Sequence, residues 1–250
     1  NKRTWTWSGW VKPAAGALGN ASGSALFAAY SDSNYRDVLR FGGTSTDRVN
    51  FQHRRNGTNY GGYTNAKLRD YGGSGWYHIV LVWNDAATIY VNGVEQSLSA
   101  EAGGLTDADN GQINNDRIHY IGARSSSGSA EAAWDGQISQ VNFVDGQALG
   151  PEYFGFTDPL TNTWKPKKFD ISETSSGSWG TNGFYLPMDG NSPIGKDQSG
   201  NGNDWTPVNF GGSVELDSPL VTGARPILNT TPGGTQAGVG VFGSKQNVGY

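Results

Sequence analysis

Apolar and polar positions along the chain alternate in short runs separated by Gly, Asn, Asp and Ser, a pattern that predicts strands and turns. The strongest run is residues 76–96, WYHIVLVWNDAATIYVNGVEQ. Trp76, His78, Val80 and Val82 alternate with Tyr77, Ile79, Leu81 and Trp83, and both sets are largely apolar or aromatic. Such a run predicts a central strand covered on both faces. Asn84 to Ala87 is turn-prone, Thr88 to Val91 resumes strand chemistry, and Asn92-Gly93 is a hairpin signal because both residues tolerate positive φ. Residues 4–13, 25–31, 36–41, 47–54 and 117–121 read as further strands, and residues 56–63 as a turn cluster carrying Tyr60 and Tyr63. Residues 100–116 read as a long polar loop, and the best helix candidate is the short stretch 151–154. Strands at this spacing predict an all-β fold, an antiparallel β-sandwich.

After residue 156 the texture changes. The expected organisation is a sandwich over 1–157, then a linker or arm over 158–182 with Pro159, Pro166 and three lysines. Residues 183–210 read as a strand and turn that either complete the sandwich or open a further module. Residues 211–250 form a Gly/Pro-rich extension with too little apolar periodicity to build a core.

Composition narrows the function classes. There are 38 glycines and 12% aromatic residues, while charged residues make up 16%, below the usual ~25%. A net charge of −4 gives no electrostatic reason to expect nucleic acid. No run of ~18 apolar residues predicts membrane insertion. The absence of cysteine leans toward folding in a reducing cytoplasm.

Three motifs in order carry a resemblance. TWTWSGWVKP from Thr4, WYHIVLVWNDAATIYVNG from Trp76, and WDGQISQVNFVDGQALG from Trp134 resemble the early, central and closing strands of laminin G-like, concanavalin A-like lectin domains. The resemblance covers about residues 4–157 and implies a concanavalin A-like jelly roll with an irregular C-terminal arm. In that family a strand precedes the early one and pairs with the closing strand. The first residues, NKRTWTW, leave no room for it, so the chain is expected to be a piece of a longer polypeptide or to supply that strand from elsewhere. The segment GFYLPMDG, followed by DQSGNGND, resembles the family's opening strand and turn. Nearly the whole chain, with QALGPEYFG, TDPLTNTWKPKKFD, GTNGFYLPMDG and IGKDQSGNGNDWTP in order, is also similar to long structural proteins of tailed bacteriophages, closest in style to those of marine cyanobacterial hosts. That similarity implies a virion protein folded in the host cytoplasm, an expected homo-oligomer whose partners are other virion subunits and host cell-surface polysaccharide. The role implied is a tail-fibre or appendage module; the alternative is a capsid decoration or cement protein whose arm binds neighbouring subunits.

Candidate chemistry is sparse. A glucanase needs two carboxylates ~5–9 Å apart, which on a strand means acidic residues alternating on one face; no strand here has that pattern, so no enzyme is expected. Asp107, Asp109, Asn110 and Asp116 offer hard oxygens for calcium in one loop, although their spacing departs from the EF-hand pattern. Asp197, Asn201, Asn203 and Asp204 form a second such set. Sugar sites combine aromatic faces with amide and carboxylate groups. Tyr60, Tyr63, Asn59, Tyr35 and Trp134 are the candidates for glycan binding on that ground. His78, within the central strand, reads as a buried structural histidine.

Overall fold

The structure, a computed structural model, describes residues 3–14, 17–19, 24–42, 46–68, 75–107, 111–125, 127, 129–189, 193–208 and 219. Strands β1 (Thr4–Pro13), β2 (Ser24–Asp32), β3 (Tyr35–Phe41), β4 (Val49–Arg55) and β5 (Thr58–Thr64) come first. The central run forms β6 (Tyr77–Asn84) and β7 (Ala87–Val91), followed by β8 (Val94–Glu95) and β9 (Leu98–Ala100). Next come β10 (Ile118–Ile121), the small hairpin β11 (Arg124–Ser125) and β12 (Ala130–Glu131), and the long β13 (Gly136–Asp145). The arm adds β14 (Gly155–Asp158), β15 (Thr163–Pro166) and β16 (Phe184–Leu186).

These strands make two six-stranded sheets among the described residues, in the orders β16-β13-β1-β6-β7-β8 and β10-β2-β3-β4-β5-β9. All of their pairings are antiparallel. The sheets pack face to face as an all-β sandwich. Period-two alternation decides what lies between them. Trp5 and Trp7 of β1, Ile79, Leu81 and Trp83 of β6, and Phe143 of β13 all point inward and are buried. Phe27, Leu39 and Phe51 meet them from the second sheet. Each such side chain, fully buried, contributes on the order of 1.5–3 kcal/mol.

The outer face of the first sheet is also dry, which is why residues 76–83 are apolar on both sides. Val80, Val82 and Val144 pack there against Leu149 and Phe154, and Phe169, Ile171 and Trp179 of the arm pack onto that cluster. Phe169 links Phe154, 4.7 Å away, to Trp179, 4.9 Å away, in one aromatic chain. Thr6 is buried on this face, where its hydroxyl donates to the Gln147 carbonyl and accepts from the Leu149 amide, both at 2.8 Å. The arm thus lies over its own sandwich as a second, smaller core.

β16 pairs with the closing strand, Phe184 opposite Phe143 and Leu186 opposite Val141. Its free edge is covered by the DQSGNGND turn. The Tyr185 amide donates to Asp197 Oδ1 at 2.9 Å, and the Gln198 amide donates to the Tyr185 carbonyl at 2.8 Å. Covering an edge strand in this way removes a template for unwanted pairing.

Residues 56–63 depart from the expected turn cluster. Only Asn56 and Gly57 turn, with φ of 49° and 79°, and Thr58–Thr64 is strand β5. The glycines misled the reading because Gly61 serves a close approach instead. At φ 91° a Cβ on Gly61 would lie 2.4 Å from the Phe51 carbonyl oxygen. Glycine inside a strand marks such an approach as readily as a turn.

Candidate functional site

Along one side of the sandwich, edge strand β10 of the second sheet faces edge strand β16 of the first. An open cleft of about 510 Å³ lies between them. Its floor is aromatic: Phe27 from β2, Phe143 from β13 and Phe184 from β16. The rings of Phe143 and Phe184 stack at 5.6 Å, and Phe27 sits 5.7 Å from Phe143. Trp205 stands edge-on to Phe184 at 5.0 Å and is only partly buried, so it brings an indole to the cleft wall.

The rim is polar and comes from two loops. On one side, Asn114 has φ 63°, and its side-chain amide donates to Asp145 Oδ1 at 2.6 Å. Asn182, from the opposite wall, donates to Asn114 Oδ1 at 2.8 Å, while its backbone amide donates to Asp145 Oδ2 at 3.2 Å. Asp145, at the end of β13, therefore holds both walls at a fixed separation. His119 Nε2 accepts the Asn114 amide at 3.2 Å, and its Nδ1–H donates to the Arg117 carbonyl at 2.8 Å. That pairing fixes the neutral tautomer, and burial holds the His119 pKa below its usual range against a smaller upward pull from the Arg117 carbonyl.

Asp116 and Arg117 are the exposed charges of this rim. The Asp116 carboxylate accepts no hydrogen bond among the described residues, and the Arg117 guanidinium donates only to the Asp116 carbonyl, at 2.6 Å. On the other wall Asp204 is engaged: Lys196 Nζ lies 2.8 Å from Oδ2 and the Asp197 amide 3.0 Å from Oδ1. The Lys196 hydrogen bond, chiefly, holds the Asp204 carboxyl below the usual carboxylate range.

The residues proposed for sugar contact from sequence are not gathered in one place. Tyr35 and Asn59 share the end of the second sheet at the β2–β3 and β4–β5 turns. The Tyr35 hydroxyl donates to Asn56 Oδ1, and Asn59 Oδ1 accepts from Arg54 Nη1 at 2.7 Å. Tyr60 lies under the Arg55 guanidinium at 5.5 Å and Tyr63 under Arg48 at 5.8 Å. Trp134 stacks on Phe41 at 5.4 Å, at the opposite end of β3 from Tyr35.

Of the two sets considered for calcium, the first is described only at Asp107 and Asp116, and the second is gathered in one turn whose carboxylates are already engaged. Asp107 is buried, with Arg55 Nε 2.7 Å from Oδ2, Arg55 Nη2 3.1 Å from Oδ1 and His53 Nε2 3.4 Å away. Asp109 and Asn110 lie outside the described residues. Asp116 is on the cleft rim. In the second set, Asp197 accepts from the amides of Tyr185, Ser199 and Asn203 and from the Ser199 hydroxyl, at 2.8–2.9 Å. Asn201 and Asn203 both donate to the Gly183 carbonyl at 2.9 Å. Among the described residues, no group of three or more His, Cys, Asp or Glu side chains is placed to hold a metal ion.

Sequence reasoning did not find the cleft. Its residues come from Phe27, 114–119, Phe143, 182–184 and 203–205, which no local spacing connects. The one signal available was the Asn/Gly density of the DQSGNGND turn, which forms part of a wall.

A family model described as the concanavalin A-like lectin/glucanases superfamily matches residues 1–152. Among solved structures, a putative carbohydrate binding protein from Bacteroides ovatus is 18% identical, with a TM-score of 0.49, over 80% of this chain and 50% of that one. Domain 4 of AbnA, an extracellular arabinanase from Geobacillus stearothermophilus in complex with arabinotriose, is 20% identical over 60% of this chain and 64% of that one, TM-score 0.43. The SAP-like pentraxin from Limulus polyphemus is 20% identical over 59% of this chain and 65% of that one, TM-score 0.39. The match thus spans about half the length of the Bacteroides protein. No curated protein matches the chain.

Proposed function

The chain belongs to the concanavalin A-like lectin/glucanases superfamily, and on that premise we propose that it is a non-enzymatic, glycan-binding module of a bacteriophage tail fibre or appendage. The cleft between β10 and β16 is the observation that carries the reading. Its volume falls within the range of small-ligand sites. Phenyl and indole rings at the floor and wall offer apolar contact to a pyranose face, while the amides and charges of the rim offer hydrogen bonds to its hydroxyls. Asp145 holds the two walls together, so little ordering is needed on binding.

The non-enzymatic part of the reading draws on Asp204, the cleft carboxyl tied to Lys196. A glycosidase acid needs a raised pKa, and Asp204 is shifted the other way. The phage part draws on the arm, whose sequence from QALGPEYFG to DQSGNGND is similar to phage structural proteins. In the folded chain that segment covers the sandwich and builds one wall of the cleft.

The test is a glycan array probed with the full chain, including surface polysaccharides of candidate marine hosts, followed by affinity measurement on any hit. Binding in the micromolar range is expected, with Asp116→Asn and Arg117→Ala each weakening it about tenfold or more. Neither side chain supports the fold, so melting temperatures should match wild type. An array with no signal at high micromolar concentration sinks the reading, and binding untouched by both variants moves the site elsewhere.

A further inference from the structure

The second sheet turns an unusual row of residues outward at the β2–β3 end. Reading straight across the strands, Ile118 lies opposite Tyr30, Tyr30 opposite Arg36, Arg36 opposite Arg54, and Arg54 opposite Asn59. Two arginines are therefore direct cross-strand neighbours. Like charges in that position destabilise a sheet.

The two guanidiniums converge. Arg36 Nη1 and Arg54 Nε both donate to the Ser33 carbonyl, at 3.3 and 3.0 Å. Arg36 Nε donates to Gln52 Oε1 at 3.2 Å, and Arg54 Nη1 donates to Asn59 Oδ1 at 2.7 Å. All of these acceptors are neutral. Neither Nη2 has a hydrogen-bond acceptor, and neither arginine has an ion-pair partner, among the described residues. The nearby acid Glu131 is already paired with Arg124 at 2.6 Å. Burial, then the charges of Arg54 and Arg124, lower the Arg36 pKa against smaller upward pulls from Tyr30 and Glu131, so the positive charge is only partly compensated. All this occurs on a chain whose net charge is −4.

We propose that Arg36 and Arg54 form an oxyanion subsite, taking a carboxylate or sulfate group of an acidic polysaccharide, with the Tyr30 ring beside it for the adjoining sugar. The proposal rests on the glycan-binding reading and specifies the class of glycan. Guanidinium groups match the planar, two-oxygen geometry of such anions. The row begins at Ile118, the residue after Arg117 of the cleft rim, so both surfaces meet at β10.

The experiment measures affinity of the full chain for immobilised polygalacturonate, dextran sulfate and unmodified dextran over a range of salt concentrations. Acidic probes should bind more tightly than dextran, less so as salt rises. Arg36→Gln and Arg54→Gln should each weaken acidic-probe binding by about 10- to 100-fold, the usual worth of a charged hydrogen bond, with melting temperature held or raised. Lys168→Gln removes an equal charge from an exposed position on the arm and should bind as wild type. A preference for polygalacturonate assigns the anion as carboxylate, and for dextran sulfate as sulfate. Dextran binding equal to the acidic probes, untouched by the arginine variants, overturns the subsite while leaving the glycan-binding reading intact. An equal loss in Lys168→Gln overturns it in favour of bulk charge. Absence of binding to any polysaccharide overturns both.

Discussion

The indole N–H of Trp164 donates to Nδ1 of His78 across 3.0 Å, joining the β14–β15 hairpin of the arm to the central strand of the sandwich. Since Nδ1 accepts, Nε2 carries the proton and donates to the Ser8 hydroxyl at 2.9 Å. The imidazole stacks on Trp10 at 4.9 Å and on Trp164 at 6.0 Å, fully buried. Trp164→Phe keeps most of the ring packing and removes the donor, leaving His78 Nδ1 unsatisfied. Urea unfolding of that variant should show a loss of about 1–3 kcal/mol with an unchanged m-value.

The histidines give stability a two-sided pH dependence. Burial lowers the His78 pKa to about 3, against ~6.5 in the unfolded chain. The unfolded state therefore binds the extra proton between those values, and stability falls as pH drops from about 6.5 toward 3, by something on the order of 4 kcal/mol at the lower end. His119 acts in the same direction. His53 acts in the other: burial lowers its pKa, but the hydrogen bond and charge of Asp37, with the charge of Asp107, outweigh that and raise it. Its contribution is complete below about pH 6.5 and is lost as pH climbs through the folded value. Unfolding free energy measured against pH should decline on both sides, and His53→Gln should flatten only the alkaline side.

Asp107 answers to Arg55 and His53 in the described structure. Asp107→Asn strips the charge from a buried network and should cost about 3 kcal/mol. The same loss is expected in excess calcium and in chelator. A deficit that appears only when calcium is present would return this aspartate to a metal-binding role.

Asp197 organises the turn that covers β16. Asp197→Ala removes the acceptor of three backbone amides and one hydroxyl at once. Hydrogen exchange at the Tyr185 amide should accelerate by at least tenfold, since that amide then has only water to bond. Protection within β6 should change much less.

What the sequence revealed follows from how local its causes are. The β6–β7–β8 meander was legible because two-sided apolar alternation and the Asn92-Gly93 turn act within a few residues. The buried state of His78 was legible for the same reason. β5 was misread because the need for Gly61 comes from Phe51 on another strand. Residues 183–210 left two readings open, and only the pairing of Phe184 with Phe143 shows that Phe184–Leu186 joins the first sheet. The cleft was invisible because Asn114, Asn182 and Trp205 meet only after both sheets have formed. The arginine row was hidden too, since Arg36 and Arg54 are 18 positions apart and become neighbours through register alone.

The position of β16 also has a temporal meaning. A ribosome making this chain releases β13 well before the segment that covers its flank. At ~5–20 residues per second, the interval between residues 152 and 205 lasts about 3–10 s. During it the nascent sandwich bears a raw margin at β13, and the apolar cluster of Val80, Val82, Val144, Leu149 and Phe154 lacks the Phe169, Ile171 and Trp179 side chains that complete its cover. A fragment stopping at residue 157 is frozen in that unfinished condition and should precipitate or self-associate where the full chain stays dispersed, which light scattering will reveal. The last-made wall of the cleft is thereby also the molecule's seal, so the chain completes its proposed binding surface at the moment its exposed edge is covered.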